Sequence, residues 1–126
     1  MEVMLLDHEG LMHTTLEFKM QKAGMKPIYV TNAIEARDIL NKNNISIAIL
    51  DLDFGEKDVE MIIKECANTS QGNVPVIGIT SLEDEDIILH WLQMGVADFI
   101  AKPYKTSEII IRIKKAFAAV EAKPST

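Results

Sequence analysis

One cysteine, Cys66, stands in the whole chain, so no internal disulfide is possible. Inside a helical apolar pattern it reads as a small buried hydrophobe, a usage that fits a reducing cytoplasm. No apolar run approaches the roughly 20 residues that span a bilayer. Met1-Glu2 leads straight into a strand with no basic stretch before it, which argues against export. A basic excess is missing too: 13 Lys and Arg face 19 Asp and Glu, a formal net charge of −6. That balance disfavours direct nucleic-acid contact and favours a site that attracts cations. No glycine-rich phosphate loop follows any apolar strand, which disfavours dinucleotide and GTP folds, and no internal repeat is visible.

What is present is an ordinary globular composition, 48% hydrophobic and 25% charged over 126 residues, enough for one domain with a real core. Its axis is Ile45-Ser46-Ile47-Ala48-Ile49-Leu50-Asp51-Leu52-Asp53, a nearly unbroken apolar run that ends in two carboxylates one residue apart. A strand apolar on both faces needs helices on both sides, the habit of parallel sheets in α/β proteins. In such sheets ligands bind outside the carboxyl ends of the strands, where Asp51 stands.

Taken in order, residues 3–6 form a first strand that stops at the acidic loop Asp7-His8-Glu9-Gly10. Leu16, Phe18 and Met20 carry a helix that Gly24 ends. Pro27 opens a second strand at 28–30, with Thr31 or Asn32 placed to cap a helix bearing Ile34, Ile39 and Leu40. After the central strand, a helix from about residue 57 is expected to bury Val59, Met61, Ile62, Ile63 and Cys66. A fourth strand covers 74–79 with Pro75 at its start, and Ser81 is placed to cap an acid-rich helix running to Met94 and Gly95. A fifth strand at 97–101 meets Lys102-Pro103, and Thr106 or Ser107 caps a last helix through Ile109, Ile110, Ile113 and Phe117. The pattern is α/β, (βα)5: an open parallel five-stranded sheet with right-handed crossovers and helices on both faces.

Four strand ends then share one edge of the sheet: Asp7 with Glu9, Asp51 with Asp53, Thr80, and Lys102. Clustered carboxylates repel one another unless a cation neutralises them, and an oxygen-rich open site suits hydrated Mg²⁺. A carboxylate can also attack phosphorus to give an acyl phosphate, with a metal and a lysine holding the phosphoryl oxygens.

Asp after strand one, Asp at the end of strand three, Thr after strand four and Lys-Pro after strand five, with Gly95-Val96-Ala97-Asp98-Phe99-Ile100-Ala101-Lys102-Pro103, resemble the receiver domain of two-component response regulators. The resemblance covers essentially the whole chain: residues 1–121 as the domain, 122–126 as a tail or linker stub. It implies the flavodoxin-like strand order 2-1-3-4-5 and Asp51 as acceptor of a phosphoryl group from a sensor histidine kinase or phosphotransfer protein. It further implies that Asp7, Asp51 and the backbone carbonyl of Asp53 hold Mg²⁺ and that Thr80 and Lys102 contact the phosphoryl group. Phe99 matches the aromatic switch that turns inward with Thr80. Such a domain is a phosphoryl acceptor that can auto-dephosphorylate rather than an enzyme, cytoplasmic, with no membrane or nucleic-acid contact of its own.

The pattern is broken where receivers usually carry a second acidic residue after strand one, for His8 stands there. Imidazole is a poor Mg²⁺ ligand. Three readings stand: Glu9 serves as the ligand, His8 favours another divalent metal such as Mn²⁺, or the domain is a pseudo-receiver acting as a phosphate-independent interaction module. Gly55 and Val59 depart from the family pattern as well, which gives the loop 54–57 its own shape. Asp51-Leu52-Asp53 also resembles the first motif of haloacid-dehalogenase-type phosphatases. Those enzymes place it on the first strand and need an acidic pair after the lysine, where this chain has Tyr104-Lys105.

The remaining residues have blander readings. Taken singly, Asp7, Asp51 and Thr80 would be helix caps, the methionines core packing, and His13 and His90 helix residues without a partner at metal-ligand spacing. If Leu89 and Leu92 face the core, Ile88 and Trp91 lie on the outer side of the fourth helix. With Ile111 they would form an apolar patch on the face built by the fourth helix, fifth strand and fifth helix, which the resemblance makes the surface for a homodimer or for output. The bland reading makes the three peripheral core.

Overall fold

The computed structural model describes residues 1–7, 14–70 and 72–121. The chain alternates strictly: β1 (Glu2–Leu6), α1 (Thr14–Lys22), β2 (Lys26–Val30), α2 (Ala33–Lys42), β3 (Ile45–Asp51), α3 (Glu56–Ala67), β4 (Val76–Thr80), α4 (Glu85–Met94), β5 (Asp98–Ala101) and α5 (Thr106–Glu121). All strand pairs are parallel, in the order β2-β1-β3-β4-β5. This is the expected (βα)5 sheet and strand order.

Period-two alternation decides which layer each strand residue enters. Met4, Leu6, Ala48, Leu50 and Val76 pack beneath α2, α3 and α4, while Val3, Leu5, Ile47, Ile49, Ile77 and Ile79 pack beneath α1 and α5. β1, β3 and β4 are therefore apolar on both faces and lie in the middle of the sheet. β2 is an edge strand, which lets Pro27 pair in register with Val3 without a missing N–H disturbing the interior. β5, the other edge, is four residues long. No helix among the described residues is long and apolar enough to cross a membrane.

Local chemistry sets the helix ends. Asn32 caps α2, its side-chain oxygen accepting the Glu35 N–H at 2.8 Å. Ser81 does not cap α4; the helix starts four residues later, where Asp84 accepts the N–H groups of Asp86 and Ile87. Gly95 closes α4 with a φ of 112°, a left-handed conformation that favours glycine. β4 starts at Val76, after Pro75, and Met61 turns outward from α3, 47% exposed.

The rotation of α4 reverses the expectation for its apolar residues. Trp91 is buried, 4% exposed, with Ile87 and Met94 beside it on the same core, while Leu89 and Leu92 point outward at 52% and 49%. Ile88 is half-buried. Ile87, Trp91 and Met94 share one face at i, i+4, i+7, and it is this face, with the bulky indole, that packs on the core. Ile111 is 62% exposed, but it lies beside Lys19, Lys22 and Lys114 in a shallow groove between α1 and α5. The proposed patch of Ile88, Trp91 and Ile111 is therefore not assembled. Toward β5, α5 instead presents Arg112, whose guanidinium binds both oxygens of Asp98 at 2.9 and 2.7 Å.

Candidate functional site

Leu6 of β1 is in register with Leu50 of β3, so Asp7 and Asp51 follow side by side on adjacent strands at the carboxyl edge. Asp51 also pairs with Ile79, and Thr80 pairs with Ala101, so the next residues, Thr80 and Lys102, arrive at the same edge. Parallel pairing thus collects four residues far apart in sequence. His8 and Glu9 lie outside the described residues.

Asp51 is 1% exposed. A buried carboxylate is tolerated only with partners, and Lys102 supplies them: its Nζ stands 3.0 Å from both Asp51 oxygens. The N–H of Asp53 donates to Asp51 Oδ1 at 3.0 Å, so among the described residues Oδ2 accepts from Lys102 alone. The Lys102–Pro103 peptide is cis. Burial by itself would lower the lysine pKa, but the hydrogen bonds and charges of Asp51 and then Asp53 outweigh it and hold the ammonium above its ordinary range.

Asp53 is the junction of this edge. Its Oδ1 accepts the Thr80 hydroxyl at 2.8 Å, and its Oδ2 accepts the Ser81 N–H at 3.0 Å and the Ser81 hydroxyl at 2.9 Å. Lys102 Nζ lies 3.3 Å from Oδ2. Burial pushes its pKa up, yet the bonds from Ser81, Thr80 and Lys102 win and keep the carboxyl below the usual range. The Thr80 oxygen in turn accepts the Leu82 N–H at 3.0 Å. The sequence brings Asp53 to the site through its backbone carbonyl; the structure gives its side chain four donors, Ser81 among them. Adjacency to Thr80 was the only sequence signal for Ser81.

Phe99 is half-buried, in register with Gly78 and packed against the core under α2, α3 and α4. A Cβ on Gly78 would meet the Leu52 side chain, which would have to shift to make room for it. Between α3 and α4, next to Asp53 and Ser81, opens a cavity of about 520 Å³ lined also by Leu52, Glu56, His90 and Trp91. His90, unpartnered by sequence spacing, faces α3: its Nε2 lies 2.9 Å from Glu60 Oε1 and 3.6 Å from Glu56 Oε1. Those partners are some 30 residues away in sequence and no local pattern announces them.

Such a site holds a buried carboxylate against an ammonium, with a hydroxyl on the neighbouring strand end. Residues 3–114 match the family model described as the response regulator receiver domain. The chain is 29% identical over 124 residues to the regulatory protein VirG of Rhizobium rhizogenes, covering 98% of this chain and 49% of that protein. It is 26% identical to the probable transcriptional regulator ycf27 of Porphyridium aerugineum, covering 98% and 51%. It thus spans about half the length of these curated relatives. Among solved structures it resembles a two-component response regulator from Clostridium difficile, with a TM-score of 0.83 and 17% identity over 96% of this chain and 98% of that one. It also resembles the receiver domain of the Pseudomonas aeruginosa PAO1 sensor histidine kinase PA1611, described with a magnesium ion coordinated in the active-site cleft. There the TM-score is 0.75 and the identity 22%, over 90% and 94%. With the family pattern spanning nearly all of the described chain and its four strand-end residues gathered at one edge, the chain belongs to the response regulator receiver domain family.

Proposed function

We propose that residues 1–121 act as a phosphoacceptor switch in which Asp51 takes a phosphoryl group from a histidine kinase or phosphotransfer protein. The observation that carries this reading is Asp51 itself, a carboxyl group removed from water with both oxygens engaged by Lys102. Oδ2 is the better nucleophile, because Oδ1 is also held by the Asp53 N–H. Its attack forms the O–P bond of an acyl phosphate while the P–N bond to the donor imidazole breaks and the imidazole leaves. Lys102 then follows the new negative charge onto the phosphoryl oxygens, and the Thr80 hydroxyl can leave Asp53 to donate there too. That exchange frees space beside Phe99 and moves the β4–α4 junction, a small repacking of one face. The domain accepts one phosphoryl group and is not a turnover enzyme, apart from losing that group to water.

The donors at this edge fit a divalent cation. Among the described residues Asp7, Asp51 and Asp53 bring three carboxylates to the edge where Lys102 stands, and all are hard oxygen ligands. Asp7, Asp51 and the Asp53 carbonyl would hold Mg²⁺, with Glu9 as a further oxygen ligand; His8 in that role would favour Mn²⁺. Once bound, the ion neutralises charge on the entering phosphoryl group. The Asp53 side chain is already committed to Thr80 and Ser81, which supports its backbone rather than its carboxylate as the ligand.

Intact mass tests the proposal after incubation with acetyl phosphate and Mg²⁺, then Mn²⁺, beside an Asp51→Ala control. One added phosphoryl group absent from the control is expected. No gain with either metal would overturn it in favour of a phosphate-independent interaction module.

A further inference from the structure

We propose that Glu56, Glu60 and His90 form a divalent transition-metal site that clasps α3 to α4, outside the phosphoacceptor edge, with Zn²⁺ as the ion of best fit. Glu56 and Glu60 stand one turn apart on the same face of α3, and His90 reaches them from the facing side of α4. Their ligand atoms all lie within 4.8 Å of one another. A tetrahedral ion with bonds of about 2.1 Å sets its ligands roughly 3.4 Å apart. The Nε2 distances to Glu60 and Glu56, 2.9 and 3.6 Å, bracket that spacing.

Nε2 is within hydrogen-bond distance of Glu60 alone, while the Glu56 carboxylate, too far for a hydrogen bond at 3.6 Å, still faces the same nitrogen, so two carboxylates converge on one imidazole. Neither glutamate has another ion-pair partner among the described residues, so two negative charges meet a single imidazole. A dication balances them. One nitrogen and two oxygens leave a fourth position for water, open toward the cavity that Glu56 and His90 line. Imidazole in the set favours zinc-like ions over Mg²⁺. Glu60 and His90 stand inside helices and are already in contact, and Glu56, at the start of α3, has only to close from 3.6 Å. In neutral His90 the Nε2 lone pair binds the ion while the proton resides on Nδ1. An ion held here resists any movement of α4 away from α3.

The test is calorimetric titration of tag-free protein with Zn²⁺ in an Asp7→Asn, Asp51→Asn, His8→Gln, His13→Gln background, which weakens the acidic edge and removes the other imidazoles. One equivalent is expected to bind, excess Mg²⁺ is not expected to displace it, and His90→Gln and Glu60→Gln should each weaken it roughly tenfold or more. Both side chains are partly solvated, so the variants should fold, which circular dichroism verifies. Trp91 is the only tryptophan, its ring 4.9 Å from that of His90, so Ni²⁺ should quench its fluorescence in the parent and not in His90→Gln. Absence of Zn²⁺ binding, or equal affinity in His90→Gln, would overturn the assignment. Neither result bears on acceptance of a phosphoryl group by Asp51.

Discussion

The hydroxyl of Thr80 donates to Asp53, 2.8 Å away, and not to Asp51. The residue expected to answer a phosphoryl group is thus latched to the neighbouring carboxylate, and the same oxygen accepts the Leu82 N–H that begins the run toward α4. Releasing Thr80 breaks one of the bonds that pins this junction.

Thr80→Val keeps the shape and removes both bonds. Stability should fall by about 1 kcal/mol, with more lost if Asp53 Oδ1 finds no water, since a stranded acceptor costs more than a hydrogen bond contributes. Urea unfolding reads this directly. An unchanged midpoint would show that the latch carries no stability.

Lys102→Met leaves Asp51 buried without its cation. A cost of roughly 2 to 3 kcal/mol is expected, below that of a fully buried pair because the lysine side chain remains 19% exposed. Adding Asp51→Asn should recover a large share, as the charge that needed neutralising is gone. A double-mutant cycle by urea unfolding checks it, and strict additivity would refute the coupling.

Gly78→Ala should destabilise the domain by about 1 to 3 kcal/mol, because the new methyl meets Leu52. The change should be less harmful in a Leu52→Ala background, where space exists. Melting temperatures of the four proteins are the measurement.

The acid limb follows from Asp53. Its pKa is lowered in the fold, so its contribution is fully present above the unfolded value of about 4 and is lost as the pH drops through the folded one. Lys102 has the opposite sign: raised in the fold, it stabilises fully below about 10.4 and stops doing so above its folded pKa. Urea midpoints against pH should show a shallower acid limb in Asp53→Asn and a shallower alkaline limb in Lys102→Met.

The strand ends were legible because each apolar run breaks off at a chemically distinct residue: Asp7, Asp51, Thr80 or Lys102. Parallel pairing needs nothing more to gather them. The facing of α4 was not legible, since Ile87, Ile88, Leu89, Trp91, Leu92 and Met94 surround most of that helix and several rotations satisfy a helical period. Packing of the indole chose among them. Ser81 was misread for a related reason: serine before an acidic run is a good cap, but the Asp53 carboxylate competes for it and Asp84 takes over the helix. The pairing of His90 with Glu60 joins two helices and leaves no trace in either segment alone.

Pro27 in β2 and the brevity of β5 have a further consequence. A proline within one border strand and only four residues in the other leave few backbone groups able to recruit a foreign strand. The sheet is therefore guarded against growth by strand addition. Helix faces and the loops at the carboxyl edge are left as the more open surfaces of the domain.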